Sequence, residues 1–232
     1  MFDLALITCT ADQPTGFALC EHFMQRQTVR GQLQIQWVVV DDGKEPARCT
    51  LGQTYIRRSR EKSCSPAQSL CRNLTLGLNH ANAERYAIIE HDDFYGPTHL
   101  EDLIVGLVGV DVCGAGSRCY YNVARRCYKH VRDGAPALCQ MGLTPRKKSL
   151  LLDVTRAMDR RNWWGIDAAF WRRVLMKERR ELVRGSVVGI KGLPGKPGIG
   201  YGHRPPKSWR RDPDGTKLRE LVGVYADLYL AL

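Results

Sequence analysis

Three carboxylates, Glu90, Asp92 and Asp93, are the side chains whose types and spacing most directly indicate chemistry in this chain. Carboxylates crowded at one place repel each other unless a cation or a proton offsets their charge. Hard oxygen ligands suit Mg²⁺ or Mn²⁺ with bound phosphates, whereas zinc usually recruits His or Cys. The cluster therefore predicts a divalent-metal site. An acidic turn that caps the next helix is the alternative.

A second acidic pair, Asp41 and Asp42, follows a β-branched run at residues 35–40. Residues 3–10 are another apolar run that ends in a polar loop, and residues 16–27 have the apolar spacing of a helix. Strand, helix and strand with short connections favour a parallel sheet flanked by helices, whose ligands bind at the carboxyl ends of the strands. Both acidic groups are predicted to lie at such ends.

The rest of the chain alternates between helical and irregular segments. We predict, in order, a helix that Ser65 opens, a helix that Thr98 opens, a strand or hairpin over 111–131, a basic loop over 133–150, a helix from about Ile166, a Gly/Pro-rich loop over 191–215 and a closing helix over 218–232. Glycine and proline are so frequent in that long loop that neither helix nor sheet can be sustained there.

Four segments of the first half together resemble the GT-A glycosyltransferases, in particular their family-two-like members. They are, in order, LITCTADQP at 6–14, VVVDDG at 38–43, CRNLTLGLNHA at 71–81 and IIEHDDFYGPTHL at 88–100. The family pattern begins its acidic motif with Asp, where this chain has the longer Glu90. Which of the three carboxylates touches the metal therefore stays open.

The resemblance implies an α/β, Rossmann-like GT-A fold, with a mostly parallel sheet flanked by helices and a basic Gly/Pro-rich C-terminal loop region. It implies a single domain over 1–232, in which residues 1–112 bind a nucleotide sugar and residues 113–232 form a basic acceptor-binding half. The implied reaction is hexosyl transfer from a nucleotide sugar, with UDP as the expected nucleotide, to a hydroxyl group. The implied cofactor is Mn²⁺ or Mg²⁺.

The resemblance also assigns roles to individual residues. The metal would be held by Asp92, Asp93 and His203. The donor would be contacted by Thr8, Asp41, Asp42, Arg72, Glu90, Lys191 and Lys207. Asp167 would be the catalytic base that deprotonates the acceptor hydroxyl in an inverting reaction. The acceptor would be contacted by Trp163, Trp164 and Arg204.

Three of these assignments have a second interpretation from the residues themselves. Asp167 could instead cap the helix that follows it. Trp163 and Trp164 could be core residues instead of stacking on a sugar or a base. His203 could be an exposed loop residue.

Positive charge is concentrated in one part of the chain. The net charge is +11, yet residues 118–211 hold 23 basic and 6 acidic residues, a local charge of +17. Such a segment repels itself unless an anion neutralises it. This favours a polyanion, a phosphorylated substrate or an anionic membrane surface as partner, and a merely solvated surface is the alternative.

For the acceptor we predict DNA that carries a hydroxymethylated pyrimidine, because viral (bacteriophage) DNA-modifying glycosyltransferases use such bases. Basic residues would hold the phosphates while a target base is flipped out of the stack. A lipid-linked or polysaccharide acceptor at an anionic membrane is the alternative.

Two other function classes explain less of the sequence. A non-catalytic nucleic-acid-binding protein would account for the charge but leave the ordered acidic motifs unexplained. A nucleotidyltransferase would carry a basic residue in the loop TADQPTG, which has none.

The sequence also bears on location. No apolar run approaches the roughly 18 to 20 residues of a membrane span, and Asp3 stands where a signal peptide has basic residues. We therefore expect a cytoplasmic protein, in the host cytoplasm if it is viral, without integral membrane contact. The nine cysteines include no C-x-x-C pair, which predicts buried free thiols.

Overall fold

The computed structural model describes residues 1–116, 118–131, 135–182, 186–195, 198 and 200–232. In this part of the chain, two β-sheets are flanked by helices. The α/β class is as predicted from the alternation of strand and helix patterns.

The strands of the described residues are divided between the two sheets. In chain order they are β1 (Leu4–Thr10), β2 (Ile35–Asp41), β3 (Thr54–Arg57), β4 (Tyr86–Ile88), β5 (Phe94–Tyr95), β6 (Val112–Ala115), β7 (Arg118–Asn122), β8 (Cys127–Val131), β9 (Met141–Leu143), β10 (Arg179–Leu182), β11 (Val187–Lys191) and β12 (Arg210–Arg211). The larger sheet has the order β10-β6-β9-β4-β1-β2-β3, and the smaller one has the order β12-β8-β7-β11-β5.

Strand β9 makes the larger sheet mixed. β1 pairs in parallel with β2 and β4, β2 with β3, and β6 with β10. β9, in contrast, runs antiparallel to both β4 and β6. The prediction of a mostly parallel sheet was therefore wrong. β9 directly follows a short 3-10 turn at Leu138–Gln140, so no crossover helix sets its direction.

The smaller sheet brings a late strand against the acidic cluster. β5 begins immediately after Asp93 and pairs antiparallel with β11, whose last residue is Lys191. β11 also pairs in parallel with β7. Residues 90–93 therefore lie where the chain passes from the larger sheet to the smaller one, with Lys191 beside them.

The helices match the predicted pattern in part. They are α1 (Pro14–Gln25), α2 (Pro66–His80), α3 (His99–Gly106), α4 (Pro145–Arg161), α5 (Ile166–Arg173), α6 (Thr216–Val222) and α7 (Ala226–Leu230). Ser65 opens α2 as predicted, because its Oγ accepts a hydrogen bond from Gln68 N at 3.2 Å. Among the described helices, none is both long and apolar enough to cross a membrane.

Helix α4 and the closing segment differ from the predictions. The basic loop predicted over 133–150 was wrong from residue 138 onward, because the 3-10 turn, β9 and the start of α4 at Pro145 lie there, and α4 buries Leu151 on the sheet. Residues 133–134 of that prediction lie outside the described residues. The closing helix is divided at Gly223, whose φ of 59° suits glycine, and a 3-10 turn leads into α7. The Gly/Pro-rich loop predicted over 191–215 was wrong at Arg210–Arg211, which form β12 by pairing with β8. The described residues between β11 and β12 contain no helix or strand, and residues 196–197 and 199 of that loop lie outside the described residues.

Hydrophobic side chains cover both faces of the larger sheet. Along β1, Leu4 and Leu6 belong to one buried cluster, whereas Ala5 and Ile7 belong to another. Alternate side chains of a strand point to opposite faces, so β1 is buried on both sides as a central strand should be. All nine cysteines are free thiols and seven are buried, in agreement with the prediction.

Candidate functional site

The acidic cluster surrounds the ammonium of Lys191. Its Nζ lies 2.7 Å from Asp93 Oδ1, 3.1 Å from Asp92 Oδ2 and 3.9 Å from Glu90 Oε2. Burial by itself disfavours the charged lysine, yet Asp92 and Asp93 raise the pKa of Lys191 well above its ordinary value. Asp92 and Asp93, predicted as metal ligands, therefore form one buried charge network with Lys191, which was predicted to contact the donor.

Asp93 is bonded to the protein through both of its carboxylate oxygens. Oδ1 accepts hydrogen bonds from Ile190 N at 3.1 Å and from Lys191 Nζ, and Oδ2 accepts one from Cys139 Sγ at 3.3 Å. These bonds fasten β11 to the acidic cluster. They leave Asp93 less available to a metal than the sequence suggested.

Asp92 and His203 face each other across the site. His203 Nε2 lies 3.4 Å from Asp92 Oδ2, and the histidine side chain is only 7% exposed, so the exposed-loop interpretation of His203 was wrong. Its Nδ1 is buried and has no hydrogen-bond partner among the described residues. Burial opposes the charge of Asp92, but Lys191 and His203 hold the pKa of its carboxyl far below the usual range.

This pair fits a divalent metal ion. A carboxylate oxygen and an imidazole nitrogen 3.4 Å apart can both reach one ion at the usual distance of about 2 Å. A second grouping, Glu90, Asp93 and Cys139, has ligand atoms within 4.8 Å of one another. Burial raises the pKa of the Cys139 thiol well above its ordinary value, however, so this thiol donates to Asp93. Asp92 and His203 are the better ligand pair.

A cavity of about 310 Å³ joins the cluster to the predicted acceptor residues. Its lining includes Glu90, Lys191, Asp167, Trp163 and Trp164. The two tryptophans are 58% and 59% exposed, so the interpretation of them as core residues was wrong. These five side chains come from just after β4, the end of β11, the turn between α4 and α5, and the first turn of α5.

The Glu90 side chain lines this cavity, and the pKa of its carboxyl is shifted. Its side chain remains 41% exposed, although the site around it is recessed. Desolvation, followed by the charge of Asp93, raises the pKa of Glu90 to about 8. Glu90 thus lies between the buried cluster and the cavity.

Asp167 lies in the first turn of α5, at the wall of the same cavity. Its Oδ1 accepts a hydrogen bond from Ala168 N at 2.8 Å, and its Oδ2 lies 3.8 Å from Arg118 Nη1. Residue Gly165 precedes the helix with a φ of 81°, and no side chain caps α5 at that position. Asp167 is therefore a first-turn residue with its second oxygen directed to an arginine of the cavity.

Arg118 was not identified from the sequence. It lines the cavity, and its Nε is buried without a hydrogen-bond partner among the described residues. Arg118 belongs to the basic segment 118–211, where nothing in the local sequence pattern distinguishes it from the other arginines.

Asp41 and Asp42 have different surroundings. Asp41 is fully buried and accepts hydrogen bonds from Gly43 N, Ala47 N and Tyr55 OH at 2.7–2.8 Å, and Arg57 forms an ion pair with it. These contacts shape the loop after β2. The donor contact predicted for Asp41 would therefore be indirect.

Asp42 lines a smaller pocket of about 120 Å³ together with Thr10, Gln13, Asn73 and His91. Its Oδ2 accepts a hydrogen bond from Arg58 Nη2 at 2.9 Å and another from Ser69 Oγ.

Arg58 is a second site residue that the sequence did not indicate. It binds Asp42 and also donates through Nε to Asn73 Oδ1 at 2.6 Å. Asn73, which follows Arg72 in the segment CRNLTLGLNHA, was a signal that could have directed attention to this pocket.

Two predicted donor contacts lie away from this pocket. Arg72 pairs instead with Glu61 at 2.6 Å and with Asp159 at 3.1 Å. Adjacent helical residues project in different directions, so Asn73 reaches the pocket while Arg72 does not. Thr8 is fully buried and accepts a hydrogen bond from Trp37 Nε1 at 2.9 Å.

Arg204 and Lys207 lie on the surface near His203. Both side chains are exposed, and neither belongs to the described lining of the two cavities. The structure therefore brings together Asp42, the acidic cluster, His203, Lys191, Asp167 and the two tryptophans, but not these two cations.

No protein-family model and no curated protein matches the sequence. Solved structures, in contrast, have a similar fold. S. aureus TarS 1-349 in complex with UDP matches with a TM-score of 0.54 and 12% identity, over 81% of this chain and 60% of that chain. The mannosyltransferase PcManGT from Pyrobaculum calidifontis, in complex with GDP-Man and Mn²⁺, matches with a TM-score of 0.51 and 12% identity, over 83% of this chain and 57% of that chain.

These comparisons show the fold of the chain. It is an α/β fold with a mixed sheet flanked by helices, shared with glycosyltransferase structures. The chain spans less than two thirds of the length of either matched structure.

Proposed function

We propose that this chain is a metal-dependent glycosyltransferase that moves a sugar from a nucleotide sugar to a hydroxyl acceptor. One observation carries the proposal. The consecutive residues Glu90 and His91 line two different cavities, and Asp92, which follows them, pairs with His203. A donor could therefore lie across the acidic cluster, with its nucleotide on one side and its sugar on the other.

The pocket at Asp42 would hold the nucleoside of the donor. Arg58 orients the Asp42 carboxylate, and the pocket is next to the metal pair through His91. UDP is the first nucleotide to test, because TarS was solved with UDP. PcManGT was solved with GDP-Man, so a guanosine donor belongs in the same test.

Asp92 and His203 would hold Mn²⁺ or Mg²⁺. Such an ion, when bound, stabilises the departing nucleoside diphosphate as a Lewis acid. Lys191 lies 3.1 Å from Asp92 and would contact the phosphates from the protein side. Asp93 would keep β11, and with it Lys191, in position.

Asp167 would act as the base for the acceptor hydroxyl in an inverting reaction. It shares the larger cavity with Glu90 and Lys191, so a hydroxyl bound there would lie between the base and the donor sugar. In this proposal the whole chain is one catalytic domain, in which residues 1–112 bind the donor and residues 113–232 bind the acceptor.

For the acceptor, a hydroxymethylated pyrimidine in DNA is the candidate to test first. The exposed rings of Trp163 and Trp164 at the cavity could stack on a flipped base, and the +17 charge of residues 118–211 would neutralise phosphates. A lipid-linked saccharide is the second candidate. It is favoured by exposed apolar side chains at Leu175 and Met176, on a different surface of the molecule.

The test is a panel of UDP- and GDP-sugars incubated with Mn²⁺ and three acceptors: plain DNA, hydroxymethylated DNA and a lipid-linked saccharide. Native protein should release nucleoside diphosphate, and Asp92→Ala should not. Asp227→Ala, which changes an exposed carboxylate, is the matched control and should behave like native protein. Absence of donor cleavage with every nucleotide sugar would refute the proposal. Cleavage without transfer to DNA would exclude only the DNA acceptor.

A further inference from the structure

Four large apolar side chains are exposed on two segments of the protein, the end of α3 with the turn after it and the turn that precedes β10. Leu175 and Met176 are 57% and 74% exposed, and Val105 and Val108 are 61% and 67% exposed. Soluble proteins rarely leave several large apolar side chains together on the surface unless that surface binds something.

The two segments lie next to each other. Arg180 Nη1 donates a hydrogen bond to Val105 O at 3.4 Å, and one surface pocket is lined jointly by Gly109, Leu175 and Lys177. Strand β10, which follows the second segment, also pairs with β6, which follows the first. The two segments thus form a single surface, the apolar tip, defined by Val105, Val108, Leu175 and Met176.

Positive charge flanks the apolar tip on the side of Leu175 and Met176. Arg172, Arg173, Lys177 and Arg180 are all exposed, and residues 105–110 contain no charged side chain.

Glu178 and Asp111, the acids next to the second segment, are paired with basic side chains, whereas Glu101, one helical turn before Val105 on α3, is exposed and accepts a hydrogen bond from Thr28 Oγ1 at 2.8 Å. Glu178 pairs with Lys147 at 2.6 Å and with Arg146, which also pairs with Asp111 at 2.6 Å. Glu181 is the other acid of residues 171–182, where it is outnumbered by five basic residues.

We propose that the apolar tip docks on the surface of an anionic lipid bilayer. Apolar side chains on exposed turns can enter the headgroup region, while flanking Arg and Lys side chains attract anionic headgroups. A nucleic acid would use the cations but would gain nothing from Leu175, Met176 or the two valines. The combination of charge and exposed apolar side chains therefore selects the bilayer.

The apolar tip is connected to the candidate active site through α5. Asp167, in the first turn of this short helix, lines the larger cavity, whereas Trp171 and Arg172 in its last turn line a groove with Leu175 and Met176. Docking would bring the cavity close to the bilayer, where a lipid-linked acceptor would be found. The docking itself does not depend on the proposed function.

The experiment is co-sedimentation of the full chain with phosphatidylcholine vesicles, prepared with and without phosphatidylserine. Native protein should bind the anionic vesicles and release them at high salt. Leu175→Ser with Met176→Ser should weaken this binding about tenfold or more, because it removes apolar surface that would enter the bilayer. Arg172→Gln with Arg173→Gln should weaken it on the order of 30-fold, about fivefold for each lost charge.

Matched controls separate docking from general surface effects. Val224→Ser changes an apolar side chain that is 88% exposed elsewhere, and Arg210→Gln with Arg211→Gln removes two exposed charges elsewhere. Both controls should bind vesicles like native protein, and circular dichroism should show that every variant is folded. The proposal fails if anionic vesicles are not bound, or if the tip variants bind as well as the controls. If the protein does not bind vesicles, but binds duplex DNA equally well with and without the Leu175→Ser and Met176→Ser changes, the surface would be assigned to a nucleic acid instead.

Discussion

Lys191 forms a 3.1 Å ion pair with Asp92 on the carboxylate oxygen that also faces His203. A buried carboxylate without a counter-charge is strongly destabilising, so the lysine offsets the cluster before any metal binds. A metal held by Asp92 and His203 would share that oxygen with the lysine. Lys191 thus links the stability of the fold to the proposed chemistry of the site.

Replacing Lys191 with Met should therefore destabilise the metal-free protein by about 3–5 kcal/mol, because one partner of a buried ion pair is lost. Mn²⁺ should restore part of this stability, since a bound cation would again offset the carboxylates. Urea unfolding with EDTA and with Mn²⁺ measures both effects. Lys207→Met removes an exposed lysine and should change neither curve. A Lys191→Met protein as stable as native protein in EDTA would contradict the assigned role.

Metal binding should depend on Asp92 and His203 more than on exposed acids. Asp92→Asn and His203→Ala are each expected to weaken Mn²⁺ binding by about tenfold to a hundredfold or more, because each removes a candidate ligand. Electron paramagnetic resonance of free Mn²⁺ measures this without any substrate. Asp227→Asn serves as the control for a lost surface charge. Native-like Mn²⁺ binding by both site variants would place the metal elsewhere.

Asp167→Asn should lower kcat for sugar transfer by about 10²- to 10⁴-fold, because a positioned base is lost while the side chain keeps its shape. Binding of the nucleotide should be unchanged, since Asp167 lies in the larger cavity and not in the pocket of Asp42. Steady-state kinetics and nucleotide titration measure the two effects. Asp153→Asn, an exposed position on α4, is the matched control. A parallel loss of nucleotide affinity in Asp167→Asn would point to a donor contact.

Arg58, which binds Asp42, and Arg72, which lies away from the Asp42 pocket, should have different effects on nucleotide binding. Arg58→Ala should raise the Kd for UDP by about tenfold or more, because Asp42 and Asn73 lose the guanidinium that orients them. Arg72→Ala should leave the Kd unchanged, because its partners are Glu61 and Asp159. Isothermal titration calorimetry compares the two variants directly. The reverse order of effects would restore the contact that the sequence predicted for Arg72.

Glu90 should make the stability of the metal-free protein depend on pH. Its folded pKa of about 8 lies above the ordinary value of 4.5, so the folded state retains a proton that the unfolded chain has released between these values. The Glu90 contribution to stability is therefore greatest below about pH 4.5 and falls as the pH rises towards 8. Urea midpoints of native protein and Glu90→Gln, compared across this window, should diverge with rising pH. Glu84→Gln, on an exposed residue, should follow native protein.

Much of the fold followed from local patterns in the sequence. Side-chain period identified the apolar runs of β1 and β2, and capping chemistry identified the start of α2. Acidic residues directly follow two of the predicted strands. These features predicted an α/β fold with a site at the strand ends. The acidic motifs also predicted Asp42 and Asp92 as residues of interest, and the family resemblance implied roles for Asp167 and the two tryptophans. Asp42, Asp167 and the tryptophans line two neighbouring cavities, and Asp92 pairs with His203.

The tertiary structure alone decided how distant segments meet. Lys191 and Asp92 are 99 residues apart in the chain, and their ion pair exists because β5 and β11 pair in one sheet. Local sequence patterns also gave no sign that β9 runs antiparallel to β4, or that Arg58 and not Arg72 binds Asp42. Periodicity specifies which face of an element is buried, but not which other element covers it. That choice is made by packing and charge pairing over the whole chain, and so it could be read only from the folded structure.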